Sequence, residues 1–360
     1  MEDRSPYGMC SKEECDKRGN EVSIFEATAD TVHIRPRIPD PCRVISKYRR
    51  SAAGITRSPP RSPESLNMAM NALMDVLTTQ ATAAPDPASL WDAAHFFEDR
   101  VRAIQVDCTI SQYFSKYLAA RMIRGQLMIL YLLRESPKYQ RKFGVEALQA
   151  AWSQYWSDPS SSTSDDEMLA LQVLFTFGQS YALDDDTLGS SLLLTIQHQL
   201  KTPRSESHLV QWSLSILTAA NLGLYQTALR MIHAPDNLPE HFIILARTCL
   251  PLTWLRYKVI QVSNVSLRKG EFLSSTELGR ILFLSEDASK SLATDFGLPV
   301  SDDGIQFKAV PIESFEKDPF ARDDAFVLGT GMSFRVDEQG TMVPQSDLLR
   351  RVVDPGGAYE

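Results

Sequence analysis

A mainly α protein is predicted, built of stacked helical pairs in the manner of a TPR-like solenoid, ending in a winged helix and preceded by an extended basic arm. Three observations carry this. Apolar residues recur at helical spacing from Leu66 to Ser263, two short capped helices and a β-prone hairpin follow, and the first 62 residues are rich in Pro, Arg and Ser without a sustained period.

The chain has 360 residues, 43% hydrophobic and 23% charged, enough for a full core or two modules. No run approaches the ~18 apolar residues of a spanning helix, and "MEDRSPYGMC" lacks the apolar stretch of a signal peptide. A soluble intracellular protein without membrane contact is therefore expected. Cys10, Cys15, Cys42, Cys108 and Cys249 are odd in number and scattered, which fits free thiols in a reducing compartment. A zinc set of Cys10, Cys15, His33 and Cys42 can be drawn, but no pair has knuckle spacing, so no metal is expected.

Residues 1–62 form the arm. Prolines at 36, 39, 41, 59, 60 and 63 break any long helix, so an extended segment that packs on the body in places is expected. The net charge of -8 argues against indiscriminate nucleic-acid binding, yet Arg35 to Arg61 holds eight basic residues and one acid, Asp40. This run suits phosphate or an acidic partner, and equally a solvated linker or part of a localisation signal. The Ser-Pro steps at Ser58 and Ser62 are candidate phosphorylation sites that would cancel part of the charge.

Residues 63–268 form the helical-repeat region. "LNMAMNALMDVL" sets Leu66, Met70, Leu73 and Leu77 on one stripe, and "SLWDAAHFFEDRVRAIQVD" sets Trp91, Ala94, Phe97, Val101 and Ile104 on another. "ISQYFSKYLAARMIRGQLMILYLLRE" is apolar around most of its circumference after Met122, so burial is expected, with Pro137 marking its end. Further helical stretches follow at intervals of roughly 20 residues, the last of them "EHFIILARTCLPLTWLRYKVIQVS". The loop "SDPSSSTSDDE" reads as mobile, and no repeat consensus recurs.

Residues 269–312 carry the winged-helix pattern. Ser274 and Glu277 have capping-box spacing, Ser285 opens a second helix that closes on Gly297, and Asp303-Gly304 is a hairpin turn. The tail, 313–360, is expected to be irregular, pinned by Phe315, Phe320 and Phe326.

Catalysis finds no parts. "GTGMSF" at 329–334 lacks the lysine of a phosphate loop, and no Gly-x-Ser-x-Gly elbow occurs. Asp184, Asp185 and Asp186 are the best magnesium candidates, but consecutive acids fan apart on a helix, so a helix-joining turn is the preferred reading over a magnesium-dependent helical enzyme. The six histidines show no ligand-pair spacing. No enzyme activity, cofactor or small-molecule substrate is expected.

"GMCSKEE", "ISKYRRSAAG" and "FFEDRVRAIQVDCTIS", in that order, resemble the SAC3/GANP family, the scaffold of the TREX-2 transcription and mRNA-export complex, over roughly residues 8–312. The most specific matches are Lys47, Tyr48, Arg50, Ser51, Ala52, Ala53 and Gly54, then Phe97, Asp99, Arg100, Arg102 and Asp107, with Ile104, Thr109 and Ile110. "AANLGLY" and "GEFLSSTELGRILFL" also sit at family junctions. Ser11, Gln105 and Ser111 depart from the family pattern, which concerns local contacts and not the fold.

The resemblance implies a PCI-like architecture without catalytic activity, a PCI-domain subunit and a small acidic protein as partners, and paired winged helices as a surface for RNA or DNA. It implies a nuclear setting, or, for the short single-domain branch, cytoplasm, centrosome or spindle. Because the second winged-helix segment carries Glu286, Asp287 and Asp295 against Lys290 alone, the nucleic-acid candidates are Arg256, Lys258, Arg268, Lys269 and Arg280, whose alternative is a solvated surface. In "ISKYRRSAAG" the small residues are expected to pack on the early helices. Arg49 and Arg50 are expected to pair with Asp99 and Asp107 rather than with nucleic acid.

Overall fold

The computed structural model describes residues 8–18, 21–48, 60–82, 87–133, 136, 138–160, 165–182, 207–235, 237–268, 271–301, 304–307, 334–336 and 342–344. The chain divides into two compact units, residues 1–162 with 334–360, and residues 163–333. Both are mainly helical among the described residues. No helix there is long and apolar enough to cross a membrane.

The first unit begins with α1 (Lys12–Lys17), whose N-cap Ser11 accepts from the Glu14 N–H. Cys10 and Cys15 stand at the positions of a hydrophobic staple and are buried with Val44. This answers the Ser11 departure: serine caps the helix and the two thiols fix its approach. Residues 21–48 then fold back through a 3-10 turn (Ala29–Thr31) and an isolated antiparallel bridge, Ala27 to Pro39.

Four long helices follow: α2 (Pro63–Thr82), α3 (Pro87–Ser111), α4 (Lys116–Leu132) and α5 (Arg141–Ser157). Helix α2 starts with Pro63 after Ser62, whose hydroxyl accepts from the Ser65 N–H. Its stripe, Leu66, Met70, Leu73 and Leu77, is fully buried. Helix α4 packs on α2, α3 and α5, and burial is nearly continuous from Leu118 to Leu130. The expected helix from Ile110 is instead divided: α3 runs on to Ser111, Gln112 turns left-handed (φ 52), and Ser115 caps α4. A residue at positive φ cannot continue a right-handed helix. Gly125 lies in α4 against the Phe97 ring, and a Cβ there would overlap that ring.

The second unit contains α6 (Asp165–Ala182), α7 (His208–Asn221), α8 (Tyr225–His233), α9 (Glu240–Cys249) and α10 (Leu252–Ser266). Helix α6 packs on α7 and α9, α7 on α8, and α8 on α10. The run expected as one helix from Glu240 to Ser263 is two, because Pro251 has no N–H to offer α9. The stretch around Asp184 to Asp186, like Pro137, lies outside the described residues.

The unit continues with β1 (Phe272–Leu273), α11 (Ser275–Leu282), α12 (Glu286–Asp295), β2 (Val300–Ser301) and β3 (Gly304–Gln306). The capping box of Ser274 and Glu277 is complete, and Ser285 accepts from the Ala288 N–H. Strand order is β1-β3-β2, both pairs antiparallel, with Leu273 and Val300 both opposite Ile305. In the tail, where an irregular segment is expected, two further strands that belong to the first unit, β4 (Phe334–Val336) and β5 (Met342–Pro344), pair antiparallel. Phe315, Phe320 and Phe326 lie outside the described residues.

Candidate functional site

The first unit is organised around one buried carboxylate. Glu26 is 0% exposed, next to the equally buried Ala27. Arg18 Nη1 donates to both of its oxygens at 3.0 and 2.8 Å. Arg100, from α3, donates from Nη2 at 3.1 and 3.0 Å and from Nε at 3.2 Å. The Ile45 N–H adds a third direction at 3.0 Å, and Arg18 also reaches the Ile45 carbonyl. Two guanidinium groups against one carboxylate leave a positive excess, which Glu14 and Asp99 offset from the two sides.

Glu14 ties the returning segment to α1. Ser46 Oγ donates to it at 2.5 Å and the Lys47 N–H at 2.9 Å. Burial pushes this carboxyl up, but the Ser46 hydrogen bond, the Lys47 amide and Arg18 together hold it below the usual carboxylate range. The Tyr48 N–H donates to Asp99 at 3.4 Å, and the Tyr48 ring lies under the Arg102 guanidinium, 5.2 Å from it. Further along α3, Asp107 accepts from Arg61 Nε at 2.5 Å. The chain is thus pinned to α3 on both sides of residues 49–59.

The second unit has its own polar hub. Arg256 is 2% exposed, and its Nε donates at 2.9 Å to the Leu282 carbonyl at the end of α11. Its Nη2 stands 3.3 Å from His233 Nε2, whose ring stacks on Phe283, centroids 4.6 Å apart. Phe283 is a non-glycine residue at φ 57. Arg247 Nη2 donates to the Ile232 carbonyl at 3.0 Å. Burial, with Arg256 and Arg247 beside it, pushes the His233 imidazole down to about 2, so it is neutral at pH 7.

A family model, described as the SAC3/GANP family, matches residues 9–302. The chain belongs to the SAC3/GANP family. No curated protein matches it. The matched span takes in the Glu26 centre, the His233 and Arg256 hub and the strands β1 and β2, and ends just before β3, so SAC3/GANP membership and the two polar hubs concern the same residues.

Within this SAC3/GANP chain the family-motif residues hold places of different kinds. Phe97 is core, Arg100 is the buried partner of Glu26, and Asp99, Arg102 and Asp107 on α3 meet the returning arm, to which Lys47 and Tyr48 belong. Arg50 and Ser51, Ala52, Ala53 and Gly54 lie outside the described residues, as does Arg49. Arg61 stands against Asp107, and Arg100 and the Tyr48 amide against Asp99. Cys10, Cys15, His33 and Cys42 are not gathered into a ligand set, and no group of three or more His, Cys, Asp or Glu among the described residues is arranged for a metal. Burial, then Glu14, pushes the Cys10 thiol up to about 12.

Among the nucleic-acid candidates, Arg256 is corrected: it is interior, because α10 is buried around most of its first turns. Lys258 is half-buried over the Trp254 and Tyr257 rings at 5.4 and 5.7 Å, Arg268 and Arg280 are exposed, and Lys269 lies outside the described residues. Sequence reasoning missed Glu14, Arg18, Glu26 and His233. The available signal was Glu26 inside "SIFEA", an acid flanked by apolar residues.

Proposed function

We propose that this chain is a non-catalytic scaffold domain in nuclear mRNA export coupled to transcription, binding a PCI-domain subunit and a small acidic protein as a TREX-2 type assembly does. The SAC3/GANP match over residues 9–302 carries this reading. In it, residues 63–268 are the PCI-like helical repeat, and β1, α11, α12 and the β2–β3 ladder are the winged helix that closes the repeat, within 269–312. The element order and the strand order β1-β3-β2 support the assignment.

RNA contact, in this reading, falls to Arg268 and Arg280, with Lys258 and Lys269 as further candidates. Helix α12 is unsuited to a groove: it carries Glu286, Asp287 and Asp295, and its Lys290 pairs with Glu286 at 2.8 Å. The test is RNA retention by the chain reconstituted with a PCI-type partner, across rising salt. Arg268→Glu with Arg280→Glu should weaken binding and flatten the log–log salt slope by about 1.4, roughly 0.7 per lost phosphate contact on a single strand. No salt-dependent retention by the intact pair removes the RNA part; no complex with any PCI-type subunit removes the scaffold part.

A further inference from the structure

Most cations of the described arm have a carboxylate. Arg18 pairs with Glu26, Arg43 with Asp40, Lys47 with Glu21 and Arg61 with Asp107. Arg35 and Arg37 have none among the described residues, and both line the same cavity, of about 370 Å³. Arg37 is held by neutral acceptors, the carbonyls of Val32 at 3.1 Å and Val22 at 3.3 Å, so its charge is positioned but not balanced. Arg35 is exposed.

The loop that presents them is built at its base. The Thr28 N–H donates to the Ile38 carbonyl at 2.9 Å, the Ile38 N–H to Thr31 Oγ1 at 3.0 Å, and the Asp40 N–H to the Glu26 carbonyl at 2.8 Å. Its tip, "HIRPRI", nevertheless turns two large aliphatic side chains outward, Ile34 at 55% and Ile38 at 59% exposure. The cavity contains apolar surface as well: the Phe25 and Phe96 rings, 5.3 Å apart, are both in its lining. Unbalanced guanidinium groups beside exposed aliphatic carbons form a mixed surface that water satisfies poorly.

We infer that the 33–38 loop and the cavity behind it form a docking site for an acidic peptide segment that also carries apolar side chains. The carboxylates of such a segment complement Arg35 and Arg37, and an apolar side chain covers Ile34, Ile38 or enters against Phe25 and Phe96. A nucleic-acid strand fits worse. Only two of the cations that line the cavity, Arg35 and Arg37, lack a carboxylate, too few for a phosphate chain; Glu21 and Asp99 on the same wall are taken up by Lys47 and Arg100, and the exposed apolar surface at the tip is aliphatic rather than a stacking platform.

The test uses the full chain. A phage-displayed library of random linear peptides is selected on it, and the enriched peptides are measured by fluorescence anisotropy against the wild type, Arg35→Glu, and Ile34→Ser with Ile38→Ser. These side chains are exposed, so the variants should melt with the wild type, which circular dichroism checks. The expected result is enrichment of peptides that combine Asp or Glu with aliphatic or aromatic residues, and at least about tenfold weaker binding by either variant. No enrichment, or enriched peptides bound equally by the variants, overturns the inference. Oligo-uridine retained by the wild type and lost by Arg35→Glu, with no peptide selected, overturns it in favour of nucleic acid.

Discussion

Glu26 and Arg100, 74 residues apart, meet through a bidentate contact in which Arg100 Nη2 reaches both carboxylate oxygens at 3.1 and 3.0 Å. Neither side chain has more than a trace of solvent, so the pair sets where the returning arm lies on α3. An ion pair removed from water is a weak source of net stability, but removing one member leaves the other charge stranded.

Glu26→Gln is therefore expected to cost about 1–3 kcal/mol, since it removes the carboxylate that Arg18 and Arg100 share and leaves each with one, Glu14 and Asp99. The double variant Glu26→Gln with Arg100→Met should lose less than the sum of the singles. Urea denaturation measures both, and limited proteolysis should show residues 21–48 cut early in Glu26→Gln. A loss under about 1 kcal/mol would remove this carboxylate from its central place.

Acid should destabilise the second unit through His233. Its imidazole is lowered from 6.5 to about 2 in the folded chain, so the unfolded chain binds the proton first. The contribution is complete above the ordinary histidine range and is lost as pH falls from about 6.5 toward 2, amounting to about 2 kcal/mol at pH 5. Thermal melting of wild type and His233→Gln at pH 7 and 5 checks the sign: the pH dependence should be weaker in the variant.

Gly125→Ala sets two effects against each other. Alanine favours a helix interior by about 1 kcal/mol over glycine, but the added methyl would overlap the Phe97 ring and crowd Met74 Sδ, and both side chains are in the core. Overpacking of about 1–3 kcal/mol should win, giving a net loss of stability in chemical denaturation. A more stable variant would show that α3 and α4 can separate there freely.

Gly304→Ala should weaken the small sheet. The residue sits at φ 132, and a Cβ would come within 2.6 Å of the Leu273 carbonyl oxygen in the neighbouring strand. Hydrogen exchange should speed up at Ile305 and Gln306 while the amides of α6 to α9 keep their rates.

The elements that sequence alone made legible rest on local rules. The buried stripe of α2, the Ser274 and Glu277 box, the Ser285 cap and the left-handed Gly297, at φ 71, are all settled within a few residues of chain. Contacts between distant charges are not. A single sequence does not tell that Glu26 goes inside to meet Arg100, or that Arg256 turns inward to a carbonyl at the end of α11, since arginine and glutamate are usually at the surface. The basic run from Arg35 to Arg61 looks uniform as letters; in three dimensions Arg43, Lys47 and Arg61 face acids while Arg35 and Arg37 do not.

Affinity purification of the tagged chain from its own cells, with quantitative mass spectrometry, tests the scaffold reading most directly. The account predicts stoichiometric recovery of a PCI-domain subunit together with a small acidic protein. Recovery of neither, from an extract in which the chain itself is folded and abundant, would contradict it.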